Sequence, residues 1–170
     1  AKEELRERKE KFVEKIPVGI MIETPAAALA INTLIKHVDF ISIGTNDLIQ
    51  YTLAVDRGDD LVNYLYQPAH PTILKLLHQI LKAAKSHKVP VSICGEMAAD
   101  RFLTRLLLGL GLRTFSVNPA SILSIKEAIV HTHLTEIAPY VRRLLRNEDP
   151  DKVEGLLSKL NGYDRLQRLR

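Results

Sequence analysis

The chain has 170 residues, 46% apolar and 26% charged, with a formal net charge of +4. That balance fits a globular domain with a buried core and excludes a disordered or fibrous chain. The excess Lys and Arg are scattered or fall in residues 142–170, with no basic run interleaved with aromatics, so no nucleic-acid partner is expected.

Residues 1–15 carry apolar side chains only at Leu5, Phe12 and Val13, which predicts a surface helix with a thin buried stripe, ended by Pro17. The start, Ala1-Lys2-Glu3-Glu4, is a charged helix former rather than a secretory signal. No apolar run reaches the roughly 20 residues that span a bilayer, so the expectation is a cytoplasmic chain without membrane association. Val18-Gly19-Ile20-Met21-Ile22 reads as a strand covered on both faces of a parallel sheet. A helix follows from Pro25 through 26–36, with proline at its first position.

A second apolar strand, 38–43, runs into Gly44-Thr45-Asn46-Asp47. A Tyr-rich loop then leads to a helix over 71–87. The third strand, 89–93, closes on Cys94-Gly95-Glu96. A helix over 100–110 stops at Gly111, a residue type that caps helix C-termini. The fourth strand, 114–117, is followed by Asn118-Pro119 and a helix to about residue 131. The remainder reads as polar helix with Pro139 and Pro150 as breakers.

Four strands alternating with helices predict an α/β fold, half of a (β/α)8 barrel, with a helical C-terminal tail. The boundary is drawn at 1–133 for the half barrel and 134–170 for the tail.

In barrels of this type function gathers where strands end. Glu23 follows the first strand, Asn46 and Asp47 the second, and Cys94 and Glu96 the third. Mg²⁺ takes one or two protein carboxylates plus water and phosphate oxygens, which Glu23 and Asp47 could supply. Glu23 reads equally as a carboxylate at a helix N-terminus, and Asn46-Asp47 as an N-cap pair. Cys94, the one cysteine, is either a small buried filler or a reactive thiol. His131 and His133 point to different faces of a helix, against a shared zinc.

Three strings carry a resemblance: Met21-Ile-Glu-Thr-Pro25, the run from Asp39 through Ser42-Ile-Gly-Thr-Asn-Asp47 to Arg57, and Cys94-Gly-Glu-Met-Ala98. In this order and spacing they resemble the phosphoenolpyruvate-utilising enzymes. Within that group they are most similar to enzyme I of the sugar phosphotransferase system, to which Tyr64-Leu-Tyr-Gln-Pro68 adds. The resemblance covers residues 1–133 and implies strands 5 to 8 of the phosphoenolpyruvate-binding TIM barrel.

The resemblance further implies that Glu23 and Asp47 hold Mg²⁺ and that Asn46 and Arg57 contact the phosphate of phosphoenolpyruvate. Cys94 would protonate the enolate carbon as pyruvate forms. The phosphoryl group would pass to a histidine in an N-terminal domain that this sequence lacks, and from there to the carrier HPr. The expectation is therefore a chain that binds but does not turn over alone, and that pairs as a homodimer through its unpaired strand edges.

Ala99 and Val117-Asn118-Pro119 depart from the enzyme I pattern. The Asn-Pro pair keeps a pyruvate phosphate dikinase or phosphoenolpyruvate synthase fragment open as an alternative, beside a non-catalytic sensing or assembly module.

Overall fold

The structure, a computed structural model, describes residues 1–162. Its centre is a parallel sheet of four strands in sequence order: β1 (Gly19–Ile22), β2 (Phe40–Gly44), β3 (Val91–Cys94) and β4 (Thr114–Phe115). The register places Ile22 beside Ile43 and Ile43 beside Ile93. These isoleucines, with Ile41, are buried under the helices. Each contributes about 1.5–3 kcal/mol by leaving water.

The other sheet face is open. Side chains alternate across a strand, so Met21 and Phe40, on the opposite side from Ile22 and Ile41, are 49% and 43% exposed. The expectation of β1 covered on both faces is corrected for this chain. Its uninterrupted apolar run concealed a period-2 division between a buried and an exposed side.

The helix expected over residues 1–15 is also corrected: α1 covers only Lys2–Glu7. Lys9 turns left-handed at φ 55°, its N–H bonded to the Arg6 carbonyl at 3.0 Å, and Glu10 N–H closes onto the Leu5 carbonyl at 2.9 Å, a helix-ending pair of bonds. Arg6 pairs with Glu14 at 3.0 Å and lies over the Phe12 ring, which folds the following segment back on the short helix.

The helix expected over 26–36 is broken into α2 (Pro25–Leu29), α3 (Ile31–Leu34) and a 3₁₀ turn, Ile35–His37. Ala28, Ile31 and Ile35 still form one buried stripe. Gln79 donates to the carbonyls of Ala28 and Leu29 at 3.2 and 3.3 Å, replacing partners lost at the break.

After β2 the chain forms α4 (Thr45–Leu53), a helix for which the sequence had offered only a start, at Asn46-Asp47. α5 (Pro71–His87) keeps its expected bounds, with His70 Nδ1 accepting from Thr72 N–H at its start. α6 (Glu96–Ala99) is a single turn. α7 (Arg101–Leu110) is capped by Asp100 and ends at Gly111, φ 110°. α8 (Ile122–Val130) follows a 3₁₀ turn that Asn118 caps by accepting Ser121 N–H at 2.9 Å.

Of the tail, α9 (Leu134–Arg146) and α10 (Pro150–Leu160) are described, and residues 163–170 lie outside the described residues. Pro139 does not break α9 but sits within it. Ile137, Val141 and Leu144 form a buried face against α7, and their burial outweighs the one missing amide bond. Gly109 permits the approach, since a Cβ there would lie 2.4 Å from Val141. α10 is tied to α7 through Arg105 to the Leu160 carbonyl and Asn161 to the Phe102 carbonyl. The tail therefore lies on the helical layer.

Candidate active site

Parallel strands finish on one side of a sheet, so β1, β2 and β3 deliver Glu23, Thr45 to Asp47 and Cys94 to Glu96 to the same end. Gly44 stands between Glu23 and Cys94 in this row. Its missing side chain is what makes room, because a Cβ there would lie 3.0 Å from both Cβ and Oε2 of Glu23.

Thr45 is fully buried, and its hydroxyl donates to the Cys94 carbonyl at 2.7 Å, binding the start of α4 to the end of β3. Asn46 extends the link. Its Oδ1 accepts the Glu96 N–H at 2.9 Å, so it does not cap α4, whose N-cap is Gly44 with no side-chain cap bond. Gly95 crosses between the two at φ 94° and ψ −177°, a region open essentially to glycine.

The loop after α4 returns toward this point. Ala54 turns left-handed to end the helix, and Asp56 accepts Gly58 N–H at 2.8 Å in a turn around Arg57. Arg57 Nη1 then pairs with Glu96 Oε1. Tyr66, further along the loop, donates its hydroxyl to the Asn46 carbonyl at 3.5 Å. Burial pushes the Tyr66 phenol above the usual range near 10. The Glu96 carboxylate adds to that rise, Arg57 opposes it, and Asp47 raises it further. Asp47, Arg57, Tyr66 and Glu96 thus share one electrostatic environment.

Among the described residues neither the Glu23 nor the Asp47 carboxylate has a hydrogen bond or ion pair, and no group of three or more metal-ligating side chains forms. Two unpartnered carboxylates are the kind of donor that Mg²⁺ takes. The Cys94 thiol, half-buried, donates to the Ile43 carbonyl at 3.4 Å and receives the Ser42 hydroxyl at 3.8 Å. It lies on the open face beside Ser42. His131 Nδ1 contacts the Glu127 carbonyl at 2.9 Å, a local helix contact.

All six residues singled out in the sequence, Glu23, Asn46, Asp47, Arg57, Cys94 and Glu96, lie at this end of the sheet or in its loops. Sequence reasoning missed Thr45, Tyr66 and the part Glu96 plays. Glu96 carried a signal, its place directly after Cys94-Gly95; Thr45 and Tyr66 gave none apart from the tertiary fold.

The sequence pattern of the phosphoenolpyruvate-binding domain of phosphoenolpyruvate-utilising enzymes matches residues 1–134. The chain belongs to this family. Among its relatives is the phosphoenolpyruvate-protein phosphotransferase of Cupriavidus necator, 47% identical over 160 residues, covering 94% of this chain and 27% of that protein. The protein of the same name from Buchnera aphidicola of Acyrthosiphon pisum is 49% identical over 134 residues, 79% of this chain and 24% of its own length. That of Haemophilus influenzae is 41% identical over 158 residues, 93% of this chain and 28% of its length. The chain spans about a quarter of the length of these curated relatives. Among the described residues no helix is long and apolar enough to cross a membrane.

Proposed function

We propose that this chain is the phosphoenolpyruvate-binding part of a phosphoenolpyruvate-protein phosphotransferase, built as half of a (β/α)8 barrel. The observation that carries the reading is the arrangement at the strand ends: two unpartnered carboxylates, Glu23 and Asp47, beside the linked group Asn46, Glu96 and Arg57. The open sheet face, with Met21 and Phe40 exposed and β1 and β4 unpaired on their outer edges among the described residues, supports the half-barrel reading. A second copy of the chain pairing along those edges would close both at once.

The chemistry follows from the donors present. A backbone N–H can meet only the oxygen of the Asn46 amide, so Nδ2 is left as a donor toward an anion. Arg57 commits one nitrogen to Glu96 and keeps Nη2 and Nε for a phosphate or carboxylate. Glu23 and Asp47 would hold Mg²⁺, which when bound offsets phosphate charge.

Breaking the bond from phosphorus to the enol oxygen sends the phosphoryl group to an acceptor histidine, supplied by sequence outside this chain, and on to the carrier HPr. The enolate left behind takes a proton at its methylene carbon. Cys94, whose thiol hydrogen is held on the Ile43 carbonyl at the edge of the open face, is assigned to deliver it. Asn118, which had kept a dikinase or synthase origin open, serves here as a local cap.

Calorimetric titration of the chain with phosphoenolpyruvate tests the reading. Binding should require Mg²⁺ and should fall sharply in Asp47→Ala. Equal binding with and without the metal would refute the assignment of Glu23 and Asp47.

A further inference from the structure

We infer that Glu96 is a positioning residue for Arg57: it anchors one guanidinium nitrogen so that the remaining donors face the anion site. The inference rests on the phosphoenolpyruvate-binding reading above. Arg57 lies on an irregular loop, with its side chain about two-fifths exposed, and among the described residues its guanidinium hydrogen-bonds to Glu96. An unanchored arginine would lose substantial rotamer freedom each time it closed on a ligand. The Nη1 contact supplies that ordering in advance.

The geometry makes Glu96 a sound anchor and a poor competitor. Its backbone N–H is fixed by Asn46 Oδ1 at 2.9 Å, and it opens α6 directly after the constrained Gly95. One linked unit therefore runs from Tyr66 through Asn46 and Glu96 to Arg57, joining the loop after α4 to the end of β3. The ion pair uses Nη1 alone, whereas a bidentate pair would have occupied the face a phosphate needs. The hydrogen bond is the essential contribution. A neutral amide at position 96 keeps an acceptor in the same place, and truncation removes it.

Two measurements test this. In the ligand-free chain, the ¹⁵N relaxation of Arg57 Nε–H should report an ordered side chain in the wild type and in Glu96→Gln, and a mobile one in Glu96→Ala. In calorimetric titrations with phosphoenolpyruvate and Mg²⁺, Glu96→Ala should weaken binding about three- to fivefold, the scale of an exposed ion pair, while Glu96→Gln stays within about twofold. In an Arg57→Ala background the Glu96→Ala change should have no further effect.

An equally ordered Arg57 in Glu96→Ala, or a loss of affinity that persists without Arg57, would overturn the inference. A wild-type chain that does not bind phosphoenolpyruvate overturns the proposed function instead, and the relaxation comparison then decides alone whether Glu96 positions Arg57.

Discussion

Replacing Gly95 by alanine strikes the point where β3 is joined to α4, and its cost can be worked from the geometry. The residue sits at φ 94° and ψ −177°, where an L side chain costs on the order of 1–3 kcal/mol in backbone strain. The new Cβ would lie 2.4 Å from Thr45 Oγ1 and 2.8 Å from Asn46 Oδ1, neither of which has slack. The Thr45 hydroxyl is buried and bonded to the Cys94 carbonyl, and Asn46 Oδ1 is bonded to Glu96 N–H. Displacing Thr45 leaves buried polar groups unpaired at about 1–3 kcal/mol. The two effects together come to roughly 2–6 kcal/mol, or a fall in melting temperature of about 4–24 °C for a chain of this size. Thermal unfolding followed by circular dichroism measures it. A variant that melts within about 2 °C of the wild type, with the Glu96 amide resonance unmoved, would refute the reasoning.

Gly44→Ala should behave differently, because φ is −85° there and the Cβ meets Glu23 and the Met21 sulfur at 3.0 Å. It is expected to cost about 1 kcal/mol in stability yet to weaken Mg²⁺-dependent phosphoenolpyruvate binding clearly, as read by denaturation and calorimetry on the same samples. Tyr66 should ionise above the ordinary tyrosine range. In ¹³C-labelled tyrosine spectra, Glu96→Gln should lower its pKa and Arg57→Ala should raise it further. Because the folded value is the higher one, the neutral phenol contributes stability below about pH 10 that is lost as pH rises through the folded pKa, and alkaline denaturation in Tyr66→Phe should lack that component. Pro139 is exposed inside α9 and donates no amide bond, so Pro139→Ala should raise stability by roughly 1 kcal/mol or more; a lower melting temperature would show that the proline shapes the packing of α9 on α7.

The alternation of strands and helices was legible along the chain. Short apolar runs such as 38–43 and 89–93, and punctuation such as Pro71 and Gly111, are local signals that survive in any tertiary setting. The sequence also brought Glu23, Asn46, Asp47 and Cys94 forward, because each stands within a few residues of the end of an apolar strand. Tertiary structure alone decided the rest. Whether a face of β1 is buried depends on what packs against it, and Met21 and Ile22 are equally apolar as letters. Whether Asn46 caps its own helix or reaches across to Glu96, 50 positions away, depends on which strands become neighbours. The same holds for Arg57 and Glu96, and for Tyr66 and Asn46. Pro139 reads as a breaker until Ile137, Val141 and Leu144 find α7, whose Gly109 lets them approach. In each case the deciding energy is a contact between segments distant in sequence, which spacing along the chain does not encode.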